Sequence, residues 1–259
     1  MPHTTINGQN LFYSDTGGDG PVVVLSHGFL MDHTMFDHQV AALRDRYRVI
    51  SWDERGFGQT DYDGEPFSYW DSARDLLGLL DHLGIDQAVL GGMSQGGFLS
   101  LRAALLAPER VRGLILLSTQ AGVDDAETLA AYGQMVDTWV AAGPIDDLTA
   151  VVAGIIIAEE AASATWIDKW RQLPVAPLAH AGECLLTRDD ITDRLGEITC
   201  PALVVHGTED TAIGMDRAEQ LAAGLVGARP LVAVSGAHAA NLTNPEPVTA
   251  AIVEFLDSL

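Results

Sequence analysis

The chain of 259 residues has only two cysteines, Cys184 and Cys200. Two thiols so far apart form neither a zinc-type spacing nor a disulfide framework, so both are expected to be reduced, in a cytoplasmic protein. Cations are also scarce. Fourteen basic residues against 36 acidic ones leave a net charge of −22. With no basic cluster to neutralise phosphates, nucleic-acid binding is excluded, and polyanionic substrates are repelled at long range. No 18-residue apolar run is free of charge, so no membrane span is expected. Met1 to Asn10 lack the basic start and apolar stretch of a secretory signal. Gly91-Gly92 and Gly96-Gly97 do not make the G-x-G-x-x-G of a dinucleotide site. A phosphate loop, a metal-ligand cluster and an internal repeat are missing as well. Neither a cofactor nor a metal is expected, and no pattern specifies an oligomeric state.

What is present is hydrophobic patterning: 47% of residues are apolar, enough for a large core. Val22 to Leu25, Tyr47 to Trp52, Ala88 to Gly91, Leu114 to Leu117, Ala202 to Val205 and Leu231 to Val234 read as strands. Between them lie helix-period stretches, including Tyr69 to Leu80, Gln95 to Leu106, Met215 to Leu225 and Pro245 to Leu256. Strands apolar at every position are buried on both faces, as in a parallel sheet with crossover helices, and the alternation predicts an α/β fold. It breaks between residues 124 and 195, where four helical stripes follow one another with no strand. The expected organisation is therefore a core of residues 1–123 and 196–259, with a helical insertion of residues 124–195.

Gly92-Met93-Ser94-Gln95-Gly96 joins a predicted strand to a predicted helix. A serine on such a strand-to-helix turn is exposed for attack, and the flanking glycines let the backbone pass. Ser94 is the candidate nucleophile; a tight junction without catalysis is the plainer alternative. His27-Gly28-Phe29 closes the first apolar strand, where the Phe29 amide, with that of Gln95, is placed to form an oxyanion hole. His27 reads as structural. Among eight histidines, only His238 follows the last strand in the order nucleophile, acid, histidine, which makes it the candidate base. Asp210, in the loop after the second-last strand, is the candidate carboxylate that orients it. Glu209 and the pair Asp124 and Asp125 are the competing acids.

These stretches, with Asp53-Glu54-Arg55-Gly56-Phe57-Gly58 and Cys200-Pro201-Ala202-Leu203-Val204-Val205-His206-Gly207, resemble the α/β-hydrolase superfamily over almost the whole chain. The similarity is to cofactor-free members such as 3-oxoadipate enol-lactonases, small esterases and non-haem haloperoxidases or perhydrolases. It implies a mostly parallel central sheet flanked by helices, a cap inserted after the sixth strand, and the triad Ser94, His238 and Asp210. Dehalogenases and epoxide hydrolases of the superfamily carry an aspartate nucleophile where this chain has Ser94. The expected activity is hydrolysis of a compact, partly apolar small-molecule ester or lactone through an acyl-enzyme. Perhydrolysis on the same triad, and a ligand receptor with little turnover, are the alternatives. Arg55 reads as an ion-pair residue. Trp139, Trp166 and Trp170 are the candidate substrate-binding aromatics. Lys169, Arg171, Arg188 and Arg194 are the insertion's basic residues; each reads as solvated charge, although any one of them could hold a substrate carboxylate.

Overall fold

The computed structural model describes residues 2–259. The chain begins with a hairpin, β1 (His3–Ile6) and β2 (Gln9–Asp15), which the apolar pattern did not reveal. Its turn, Asn7-Gly8, has both residues at positive φ, 48° and 84°, the backbone an Asn-Gly hairpin turn requires. There follow β3 (Val22–Ser26), α1 (Asp37–Leu43), β4 (Arg48–Trp52), α2 (Tyr69–His82), β5 (Ala88–Met93), α3 (Gln95–Leu106) and β6 (Val111–Leu117). Four helices come next without an intervening strand: α4 (Ala126–Ala142), α5 (Asp146–Ile156), α6 (Glu160–Trp170) and α7 (Ala176–Leu186). The chain then returns to the sheet with β7 (Ala202–Gly207), α8 (Met215–Gly224), β8 (Val232–Val234), α9 (Ala240–Thr243) and α10 (Pro245–Leu256).

The eight strands form one sheet in the order β1-β2-β4-β3-β5-β6-β7-β8. The β1–β2 and β2–β4 pairs are antiparallel; every other pair is parallel. β5 and β7 are buried at every position, which explains their continuous apolar runs. Leu76 of α2, Leu99 of α3 and Leu221 of α8 pack one face of the sheet. Leu43 of α1 and Ile252 of α10 pack the other, joined there by Trp139, Val152, Trp170 and Leu178 from the four inserted helices. Local signals set where those helices begin. The Asp125 carboxylate accepts from the amides of Glu127 and Thr128 at the start of α4, and Glu159 does the same at α6. Because β3, β5, β7 and β8 run parallel, their carboxyl ends lie along one edge. The loops carrying Phe29, Ser94, Asp210 and His238 all leave from that edge.

Candidate active site

Ser94 sits between β5 and α3 with φ 52° and ψ −115°, a conformation rarely adopted by a side-chain-bearing residue. Such a backbone costs on the order of 1–3 kcal/mol and persists only where its surroundings over-determine it. Here they do. The Ser94 amide donates to Leu117 O at 2.9 Å, and its carbonyl accepts from the amides of Gly97 and Phe98. The Thr119 hydroxyl donates to the same carbonyl at 2.7 Å. Both flanking glycines are required by close packing: a Cβ on Gly92 would run into the Gly96 carbonyl, and one on Gly96 into the Ser26 carbonyl.

His238 lies in the loop after β8. Its Nδ1 is 2.8 Å from Asp210 Oδ2. An ionised carboxylate only accepts, so Nδ1 carries a proton, and in the neutral imidazole Nε2 keeps a lone pair. The other Asp210 oxygen, Oδ1, accepts from the amides of Ala212 and Ile213 at 2.9 and 3.0 Å. Burial opposes ionisation of Asp210. The charge and hydrogen bond of His238 and the Ile213 amide outweigh it, holding the carboxyl below its ordinary value. The competing acids are engaged elsewhere. Asp124 accepts from Gln120 and Arg188, and Glu209 from Ser235.

Ser94 and His238 line one cavity of about 100 Å³. No hydrogen bond joins the Ser94 hydroxyl to the imidazole among the described residues. Such contacts commonly tighten only when substrate is bound. Phe29 also lines the cavity. Among the described residues neither the Phe29 nor the Gln95 amide donates to another protein group, so both donors are available to a ligand.

Tyr132, Met135, Trp139, Ile155 and Ile156 from the inserted helices line the same cavity. Two expected substrate contacts do not. Trp170 is fully buried and spends its indole N–H on Leu30 O at 2.6 Å. Trp166 is buried beneath Lys169, whose ammonium lies 4.1 Å from its ring centroid. Lys169 pairs with Asp32, Arg171 with Asp146 and Asp168, and Arg194 with Glu197. Arg188 departs from the expected solvated charge: its side chain is 2% exposed and it lines the cavity.

His27 is structural, as its position suggested. It is wholly buried, with Nε2 accepting from the Glu54 amide and Nδ1 donating to Gly28 O. Arg55 pairs with the buried Asp75. Thr119 and His206 also support the site and carried no local signal. His206 Nε2 donates to Ile213 O at 2.8 Å, bracing the Asp210 loop from below.

Comparison with known proteins agrees with this architecture. Residues 21–245 match the family described as the alpha/beta hydrolase fold. A thermophilic esterase from Thermogutta terrifontis superposes with a TM-score of 0.87 at 32% identity, over 99% of this chain and 96% of that one. The enol-lactonase from Burkholderia xenovorans LB400 gives 0.91 at 28% identity, over 99% and 100%. The 3-oxoadipate enol-lactonase 2 of Acinetobacter baylyi is 26% identical over 248 residues, 90% of this chain and 88% of its own length. This chain belongs to the alpha/beta hydrolase family.

Proposed function

We propose that the protein is a serine hydrolase acting on a carboxylic ester or lactone of a compact, partly apolar small molecule. The observation that carries this reading is the Asp210–His238 pair at 2.8 Å, opening onto the cavity that also holds the strained Ser94. In the proposed reaction the Ser94 hydroxyl attacks the carbonyl carbon and His238 Nε2 takes its proton. The carbonyl oxygen becomes an oxyanion held by the Phe29 and Gln95 amides. His238 then gives that proton to the leaving alkoxide, which departs and leaves an acyl-Ser94. A water, deprotonated by His238, attacks the acyl carbon, and His238 returns the proton to Ser94 Oγ as the acyl–oxygen bond breaks and the acid leaves. Asp210 stays ionised throughout, fixing the tautomer and balancing the imidazolium. The inserted helices act as a cap: their apolar side chains exclude water and contact the substrate's apolar part. The relatives named as esterase and enol-lactonase support ester or lactone chemistry.

The test is an ester and lactone panel on three variants, with folding checked by circular dichroism. Ser94→Ala should lose up to ~10⁶ in kcat and all labelling by a fluorophosphonate probe. Asp210→Asn should lose about 10⁴, because the amide favours the wrong tautomer, and far more than Asp124→Asn. Near-wild-type hydrolysis by Ser94→Ala would exclude the reading.

A further inference from the structure

Arg188 is the only lysine or arginine among the described residues lining the cavity. In this acidic chain it is the natural seat for a substrate carboxylate, yet both of its terminal nitrogens are engaged, and its Nε, which has no partner among the described residues, is buried. One terminal nitrogen of Arg188 donates to Asp124 Oδ2 at 2.7 Å and the other to Leu185 O at 2.8 Å. The guanidinium carbon lies 4.7 Å from the Phe98 ring centroid. Asp124 Oδ1 in turn accepts from Gln120 Nε2 at 2.8 Å. The ion pair is neutral as a unit, and the ionised Asp210 behind His238 leaves the site with a surplus negative charge. Asp124, at 13% side-chain exposure, is the more open member. A carboxylate entering from the cavity would therefore meet another carboxylate together with a cation already bonded to it.

We propose that Asp124 is a specificity-determining residue. By occupying Arg188 it makes the cavity accept neutral acyl or alcohol portions and reject carboxylate-bearing ones. Discrimination of this kind works by repulsion as much as by attraction. It rests on the hydrolase reading above and gives that site its substrate class. It also implies that anion selectivity is latent: removing the Asp124 charge leaves a buried cation in search of a partner. The site can accommodate the change. Gln120 Oε1 is buried with no partner, so by flipping its amide Gln120 can accept from an amide introduced by Asp124→Asn, while the retained oxygen still faces Arg188.

The experiment compares mono-4-nitrophenyl pimelate with its neutral methyl ester. kcat/KM is measured on wild type, Asp124→Asn, Asp124→Ala and Asp124→Asn combined with Arg188→Gln, with folding checked by circular dichroism. Dissociation constants for both esters come from calorimetry on the same proteins carrying Ser94→Ala. Wild type should prefer the methyl ester by about tenfold or more. Each Asp124 variant should shift the ratio toward the free acid by roughly tenfold, the size of one hydrogen bond to a charged group, and Arg188→Gln should cancel the shift. A wild-type ratio near one, or a folded Asp124 variant with an unchanged ratio, would overturn the proposal. Should the Asp124 variants fail to fold, the wild-type ratio decides alone. Binding that discriminates without turnover of either ester would count against the hydrolase reading and leave the specificity assignment standing; turnover without discrimination would do the reverse.

Discussion

Glu54 is 1% exposed in the loop after β4, beside Gln95. Burial pushes its carboxyl well above the ordinary value of 4.5; the neighbouring Gln95 amide opposes this, and the charges of Asp75 and Asp53 add to it. A carboxyl whose folded pKa exceeds its unfolded one takes up a proton on folding. The stability this gives is complete below the unfolded value and is lost as pH rises through the folded value. Glu54→Gln supplies the neutral form at every pH. The variant's stability advantage over wild type should therefore grow with pH above 4.5, by about 1.4 kcal/mol per pH unit until the folded value is passed. Urea melts of both proteins across pH 4 to 9 measure it, and a difference that does not change with pH would contradict a buried neutral acid. At this scale sequence legibility was uneven for a physical reason. The serine turn is specified by five consecutive residues, and the order of Ser94, Asp210 and His238 follows chain direction. The burial of Glu54 and Arg188 is made by residues distant in sequence, so Arg188 read as an ordinary solvated cation.

Helices of the sheet domain follow the sequence pattern closely. α3 and α10 fall on the residues their spacing indicated, and α8 ends one residue short. The hairpin of β1 and β2 escapes the pattern because β1 has no apolar run, with only Thr4 and Ile6 buried, and that of β2 is only three residues, Leu11 to Tyr13. The Asn7-Gly8 dipeptide was its one visible signal. Periodicity also could not say which side of an inserted helix faces the cavity, and α6 shows why that matters. Its Trp170 turns away and donates to Leu30 O, in the loop that carries Phe29. Leu30 itself has φ 61°, a strained conformation that this bond helps hold. Trp170→Phe keeps most of the packing and leaves that carbonyl unpaired, at a cost of about 1–3 kcal/mol, or roughly 2–4 °C in Tm per kcal/mol. If the loop presents the Phe29 amide to the oxyanion, kcat should fall more than KM rises, because that donor acts in the transition state. A lower Tm with unchanged kcat would separate α6 from the role proposed for the Phe29 loop.

Taken as a whole, the insertion is hydrogen-bonded to three of the four loops proposed to do chemistry. From α4 the Tyr132 hydroxyl donates to Ala212 O, beside the residues that bind Asp210. From α5 the Ile156 carbonyl accepts from the Ala239 amide, next to His238, at 2.8 Å. From α6 comes the Trp170 bond to the Phe29 loop. Beneath these polar contacts Trp139, Leu148, Trp166 and Leu178 share one apolar cluster with Met31, Leu25 and Ile115. Two domains joined by a small polar interface move and melt separately. An insertion whose apolar side chains complete the sheet's own core cannot detach without exposing that core to water. The chain should accordingly unfold in one transition despite its length. Three of its five tryptophans, Trp139, Trp166 and Trp170, lie in the insertion, and Trp52 and Trp70 lie in the sheet domain. Urea unfolding followed by tryptophan fluorescence, by far-ultraviolet circular dichroism and by esterase activity should give coincident curves. Fluorescence and activity lost at lower urea than ellipticity would mean that the inserted helices release first. The three tethers would then hold the catalytic loops only loosely, and substrates bulkier than the cavity could enter by lifting the insertion away.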